Sequence, residues 1–172
     1  MAKPVCFIVG AGDFIGAAIT RRFIPGGYTV CAARRNGEKS DSLVAEKNVD
    51  GGNAVSFSMD ARKEIQVVEK FAQIESEIGP MDVMISNAGG NVNFPIVETT
   101  EQVFCKVWRM ACFTGFLAGR EAAKHMLPRS KGSIFFAGAT TSVRGGAGYA
   151  AFASAKFGLR ALAQSMARKL GP

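Results

Sequence analysis

Short apolar runs rich in β-branched residues alternate along the chain with longer segments of helical spacing. The runs are Val5–Val9, Tyr28–Ala32, Ala54–Phe57, Val83–Ile85 and Ser133–Ala137. After the first, Ile15, Ile19 and Phe23 recur every fourth residue, and Pro25-Gly26-Gly27 ends the helix. A shorter helix with a weaker pattern is predicted around Asp41–Lys47. Ile65, Val68, Phe71, Ile74 and Ile78 make the stripe of a third helix, closed by Gly79-Pro80. Thr99 with Gln102 reads as a capping box that opens a long fourth helix. Val103, Val107, Met110, Ala122 and Met126 form its buried face until Pro128. A fifth helix is predicted from Tyr149 to Leu170.

This β-α alternation predicts an α/β fold, a doubly wound parallel sheet with helices on both faces. An apolar strand such as Ile134-Phe135-Phe136 suits a sheet covered on both sides. No repeat, low-complexity tract or linker interrupts the pattern. Residues 1–172 are therefore expected to be one domain, long enough to bury a sizeable core.

Composition narrows the partners. The chain is 48% hydrophobic and 20% charged, ordinary values for a globular protein, with a net charge of +7. Its basic residues are dispersed, and no basic stretch is interleaved with aromatics, so nucleic acid is not an expected partner. A phosphate-bearing small molecule accounts for the surplus with fewer assumptions. The four cysteines lack C-x-x-C spacing and there is one histidine, so no metal site is expected. Cys6 and Cys31 fall in apolar strands, as buried reduced thiols do. Cys105 and Cys112, seven apart, are expected on one helical face. No secretory signal precedes Val5 and no apolar stretch reaches membrane-spanning length, so a cytoplasmic protein without a membrane partner is expected.

The twenty glycines cluster, most tellingly at 10–16. There Gly10-Ala11-Gly12-Asp13-Phe14-Ile15-Gly16 follows the first strand and opens the first helix. Such a loop lets the backbone approach a pyrophosphate seated on the helix N-terminus, the arrangement of a Rossmann-like dinucleotide site. A glycine-rich turn without a ligand is the blander alternative. An acid at the end of the second strand would bind a ribose 2′-hydroxyl. The chain instead offers Arg34-Arg35, which accommodates a 2′-phosphate. NADP(H) is therefore the expected cofactor ahead of NAD(H), the alternative being two solvated arginines.

With these residues in place, the chain resembles the short-chain dehydrogenase/reductase family over essentially its whole length. The markers are the loop at 10–16, Asp60 after the third strand, Ser86-Asn87-Ala88-Gly89 after the fourth, and Lys156 in the fifth helix. The resemblance implies that Asp60 contacts the adenine, and that Asn87, Ala88 and Gly89 shape the cofactor cleft. Asp60 could also cap the Arg62-Lys63 segment. It implies an oxidoreductase that passes a hydride between NADP(H) and a carbonyl or secondary alcohol, with Lys156 holding the nicotinamide ribose.

The departures bear on catalysis. The family loop has a glycine where Phe14 stands, an exchange tolerable if Gly12 absorbs the turn. The family's catalytic Tyr position is Phe152, its Ser position Ala139, and its Asn position aligns with Cys112. Three groups could restore a proton donor: Tyr149, one helical turn before Phe152; Thr140 or Thr141, beside the Ser position; and Lys156 itself. A non-catalytic dinucleotide-binding relative, used for sensing or partner binding, is the alternative function.

Family members continue beyond this helix into further strands and a substrate lid. The chain is therefore expected to be a portion of a longer protein, its fold breaking off after the last helix with Phe135 and Phe136 on a sheet edge, the alternative being a partner that covers that edge. Helices 100–127 and 149–170 match the family's usual dimer surface. Ala111, Gly115, Gly119 and Ala153 are expected to permit close packing there in a homo-oligomer.

Overall fold

A computed structural model describes residues 3–49 and 51–171. Strands β1 (Val5–Val9), β2 (Thr29–Arg34), β3 (Asn53–Ser58), β4 (Met81–Ser86) and β5 (Ser133–Phe136) form one parallel sheet in the order β3-β2-β1-β4-β5. The expected doubly wound α/β architecture is therefore present. The strand order reverses between β1 and β4, which opens a crevice beyond their carboxyl ends. Among the described residues, five α-helices lie between the strands and a sixth follows β5: α1 (Ile15–Phe23), α2 (Asp41–Val49), α3 (Glu64–Glu77), α4 (Glu101–Trp108), α5 (Thr114–Met126) and α6 (Ala150–Leu170).

All of β1 is buried, and its side chains alternate between two cores as the pleat requires. Val5, Phe7 and Val9 join Val67, Phe71 and Ile74 of α3 and Leu117, Ala118 and Ala122 of α5. Cys6 and Ile8 pack with Val30, Ala32, Val83 and Ile85 under Ile19 and Phe23 of α1. Phe7 meets Phe71 edge to face with centroids 5.0 Å apart. Each such fully buried side chain contributes roughly 1.5–3 kcal/mol. Burial also pushes the Cys6 and Cys31 thiols up to about 12, so both remain protonated and inert.

Several local expectations are corrected. On α3 the face against the sheet runs through Val67, Phe71 and Ile74, while Ile65 and Val68 are exposed. Contact with Phe7 sets the roll of the helix, and Ile65 lies two residues from that face, on its far side. Ile15 is likewise exposed. The cap of α4 is Thr100, whose hydroxyl accepts from the Val103 N–H at 3.3 Å; Thr99 instead donates to the Pro95 carbonyl.

The long fourth helix is two helices joined by a π turn, Arg109–Phe113. The wider turn rotates everything after it. Cys105 is consequently exposed and Cys112 buried, not the shared face that a spacing of seven suggests. The small residues of α5 are used within the chain. A Cβ at Gly115 would lie 2.4 Å from Leu159 Cδ1, and one at Gly119 2.8 Å from Phe136 Cζ. Ala111 and Ala153 are also buried, so these four small residues pack within the chain itself. β5 borders only β4 among the described residues, with Phe135 53% exposed, which corrects the expectation of a strand covered on both faces. No helix of the described residues is long and apolar enough to cross a membrane.

Candidate functional site

The crevice between β1 and β4 opens into a cleft of about 760 Å³. Its floor is the β1–α1 loop. Gly10 takes φ +92°, and a Cβ there would stand 2.7 Å from the Ala88 nitrogen, so only glycine lets the two loops touch. Asn87 locks that contact. Its Nδ2 donates to the Gly10 carbonyl at 2.9 Å, and its backbone N–H to the Val9 carbonyl at 2.8 Å. The left-handed turn thus falls at Gly10, which corrects the expectation that Gly12 absorbs it.

Gly12 serves differently, because nothing lies within 4 Å of where its Cβ would be. Its N–H folds back to the Gly10 carbonyl, and Ala17 donates to the Gly12 carbonyl. The N–H groups of residues 13–16 between them have no partner among the described residues. Unpartnered donors at a helix N-terminus, over an open backbone surface, fit a pyrophosphate. Phe14 (88% exposed) and Ile15 stand beside them on the cleft wall, and Gly16 packs onto Ala11.

At one end of the cleft lie Arg34, Arg35, Lys39, Asp60 and Arg62. Arg34 is not a solvated surface cation: Nη1 donates to Asp13 Oδ1 at 2.5 Å, and its side chain is 19% exposed. Asp60 accepts from Arg62 Nε at 2.9 Å and Nη2 at 2.7 Å, and from the Arg62 N–H at 3.1 Å. These bonds hold its carboxyl down at about 2. Asp60 caps the turn before α3; the helix itself begins after Lys63.

At the other end, Lys156 is 5% exposed and its Nζ donates to the Ala137 carbonyl at 2.8 Å. The Phe152 ring centroid is 5.8 Å from that ammonium, and a Cβ on Gly89 would be 3.6 Å from it. Burial lowers the lysine pKa, with a small opposing contribution from the Cys112 thiol. Phe152 and Ala139 line the cleft, whereas Tyr149 and Thr140 do not. Tyr149 sits at the N-cap of α6, and Thr140 is exposed in a short 3-10 turn. Thr141 Oγ1 is buried without a hydrogen-bond partner among the described residues. No group of three metal-binding side chains occurs among the described residues.

Residues 4–172 match the family model for short chain dehydrogenases. This chain belongs to the short-chain dehydrogenase family. A short-chain dehydrogenase from Rhodopseudomonas palustris is 56% identical and superposes with a TM-score of 0.94, over 97% of this chain and 78% of that one. A metagenomic short-chain oxidoreductase in complex with NADP is 25% identical, with a TM-score of 0.93 over 98% and 77% of the two chains. The 2-dehydro-3-deoxy-D-gluconate 5-dehydrogenase of Formosa agariphila is 29% identical over 164 residues, which are 95% of this chain and 62% of the relative. The chain spans 62% to 70% of the length of the first three curated relatives it matches.

Set against the short-chain dehydrogenase pattern, the cleft keeps its lysine and both glycine-rich loops but presents carbon at the Tyr and Ser positions. Cys112, at the Asn position, does not line the cleft. It packs where a Cβ on Gly158 would come within 3.2 Å of its Sγ. The π turn instead turns Met110 and Thr114 into the cleft, with Thr114 Oγ1 donating to the Met110 carbonyl at 2.9 Å. Neither residue, nor Met59, Asn36 or Lys39, was legible beforehand. A π turn leaves no sequence signature; Asn36 and Met59 follow strand ends and Lys39 lies in the 3-10 turn Gly37–Ser40, where the sheet order sets the neighbours.

Proposed function

We propose that this chain binds NADP(H) in the β1–β4 cleft and belongs to an oxidoreductase that interconverts a small carbonyl compound and a secondary alcohol. The observation that carries this reading is that one continuous cleft joins the glycine loop, the Arg34-Arg35 end and the buried amine of Lys156. The N–H groups of residues 13–16 would hold the pyrophosphate. Arg34, Arg35 and Lys39 would face a 2′-phosphate, and Asp60 lies where the adenine would pack. Asn87, Ala88 and Gly89 form the opposite wall, and Lys156 would hold the nicotinamide ribose. The nicotinamide supplies the hydride when bound.

The chain's own contribution to chemistry rests on Lys156. Among the described residues it is the only titratable side chain at its end of the cleft lining. Its lowered pKa makes it a better proton donor than an ordinary lysine, and it would protonate the carbonyl oxygen in place of the absent tyrosine. Tyr149 and Thr140 would need to move to take part. The structures of relatives with NADP bound, and the short-chain reductases among curated relatives, support the cofactor and reaction class.

A second reading, a dinucleotide-binding relative without catalysis, is favoured by Phe152 and Ala139. Both line the cleft at the positions where the family carries its hydroxyls. A cytoplasmic setting fits the free, buried cysteines Cys6 and Cys31. Pairing of two copies through α4, α5 and α6 fits the exposed Phe104, Trp108, Phe116 and Phe157; a monomeric mass by light scattering would count against it. The deciding experiment titrates the chain with NADPH and NADH while following nicotinamide fluorescence. Saturable binding with NADPH favoured supports the reading, and no binding of either overturns it.

A further inference from the structure

Asp13 and Arg34 are 21 residues apart and meet across the mouth of the cleft. The two partners are held very differently. Arg34 closes β2, and its side chain is mostly buried. Asp13 belongs to the β1–α1 loop and its side chain is 66% exposed. The hydrogen bond and the charge of Arg34, with Lys39 adding to them, hold the Asp13 carboxyl below its ordinary value, so it is ionised at neutral pH. Its second oxygen, Oδ2, has no partner among the described residues. Both residues line the cleft at the end where Arg35 and Lys39 also stand.

We propose that Asp13 is a specificity-determining residue of the dinucleotide site: a built-in counter-anion that occupies Arg34 and lets the cleft accept NADH as well as NADPH. The inference rests on the reading of the cleft as a dinucleotide site. A carboxylate already on the guanidinium stands in for the 2′-phosphate, and the two anions cannot share close quarters without repulsion. Entry of the phosphate therefore requires Asp13 to swing into solvent, which its exposure on a loop allows. When the ribose carries a 2′-hydroxyl instead, the ion pair stays intact and Oδ2 is available to accept a hydrogen bond from that hydroxyl. Arginine at the end of β2 selects for NADPH, and Asp13 reduces that selection.

The test compares the parent with Asp13→Asn, which removes the charge and keeps an acceptor, and Asp13→Ala, which removes both. Each is titrated with NADPH, NADH and adenosine 2′,5′-bisphosphate. Because Asp13 is exposed, all three proteins should melt within a few degrees of one another. Asp13→Asn is expected to tighten NADPH and the bisphosphate about tenfold while leaving NADH within about twofold. Asp13→Ala should tighten NADPH similarly and weaken NADH. The Asp13→Asn gain should vanish on an Arg34→Met background, since the effect runs through that pair.

Unchanged or weaker NADPH and bisphosphate binding in both Asp13 variants overturns the proposal, as does a gain that survives the loss of Arg34. The two readings fail separately. A parent that binds NADPH with no change in the variants keeps the cofactor assignment and removes the role of Asp13. Variants that gain the bisphosphate, although no protein binds a whole dinucleotide, keep only the competition of Asp13 with a phosphate for Arg34 and remove both the assignment and the specificity role. Failure of every protein to bind any of the three probes removes both.

Discussion

Replacing Phe152 by tyrosine adds one oxygen beside Lys156, at the place where the family's tyrosine is expected. The Phe152 ring is 9% exposed, lines the cleft and packs among Val107, Ala111, Ala155 and Leu159, so its plane is held. Its centroid lies 5.8 Å from Lys156 Nζ. A hydroxyl on the ring, turned towards the ammonium, would come into hydrogen-bond range, about 2.6–3.2 Å. The neighbouring ammonium would then lower the pKa of the phenol, as opposite charges do. A positioned general acid is worth about 10²–10⁴ in rate, which is about 2.7–5.4 kcal/mol at 1.36 kcal/mol per decade. Phe152→Tyr is therefore expected to raise NADPH consumption with a simple aldehyde or ketone by at least a hundredfold, read by absorbance. Adding Ala139→Ser should raise it further, because the serine hydroxyl would steady the same oxygen. NADPH affinity should stay within about twofold of the parent. A variant that folds, binds NADPH as the parent does and gains less than about tenfold would refute the view that this cleft is a reductase in which Lys156 stands in for a better acid. It would favour the non-catalytic reading.

Three further outcomes are expected. Gly12→Ala adds a Cβ that meets nothing within 4 Å, so stability should change by less than about 1 kcal/mol; dinucleotide binding should fall at least tenfold, and unimpaired binding would place the pyrophosphate off this loop. Phe71→Ala should cost about 3–5 kcal/mol in urea unfolding, because the ring is fully buried against Phe7; a loss below 1 kcal/mol would mean that this core is not packed as described. Lys156 has its folded pKa below the ordinary 10.5, so between the two values the unfolded chain binds more protons and stability rises with pH. Below the folded pKa the lysine is protonated in both states and adds no slope. Lys156→Met should remove that rise, and parallel stability curves for parent and variant through the window would contradict it.

The sequence by itself determined the element types and the chemistry of the loops. Strand–loop–helix alternation, the glycines at 10–16 and the Asn87-Ala88-Gly89 turn are local patterns, and local patterns survive without tertiary information. What it did not contain is which distant segments meet. The order β3-β2-β1-β4-β5 brings Asn87 to Gly10, 77 residues away, and Arg34 to Asp13. Only that adjacency turns two basic residues at a strand end into a cation already paired with an acid. Helix faces were misjudged where packing rather than periodicity set the roll, as at Ile65 and Ile15. They were also misjudged where the π turn broke the period, as at Cys105. The candidate proton donors show the same division. Tyr149 and Thr140 stand near Phe152 and Ala139 in sequence, yet neither lines the cleft, because one turn of helix or one residue of loop is enough to aim a side chain elsewhere. Lys156 reaches the cleft and is stripped of water by the packing of α6 against α4 and the π turn, a burial that only the assembled fold produces.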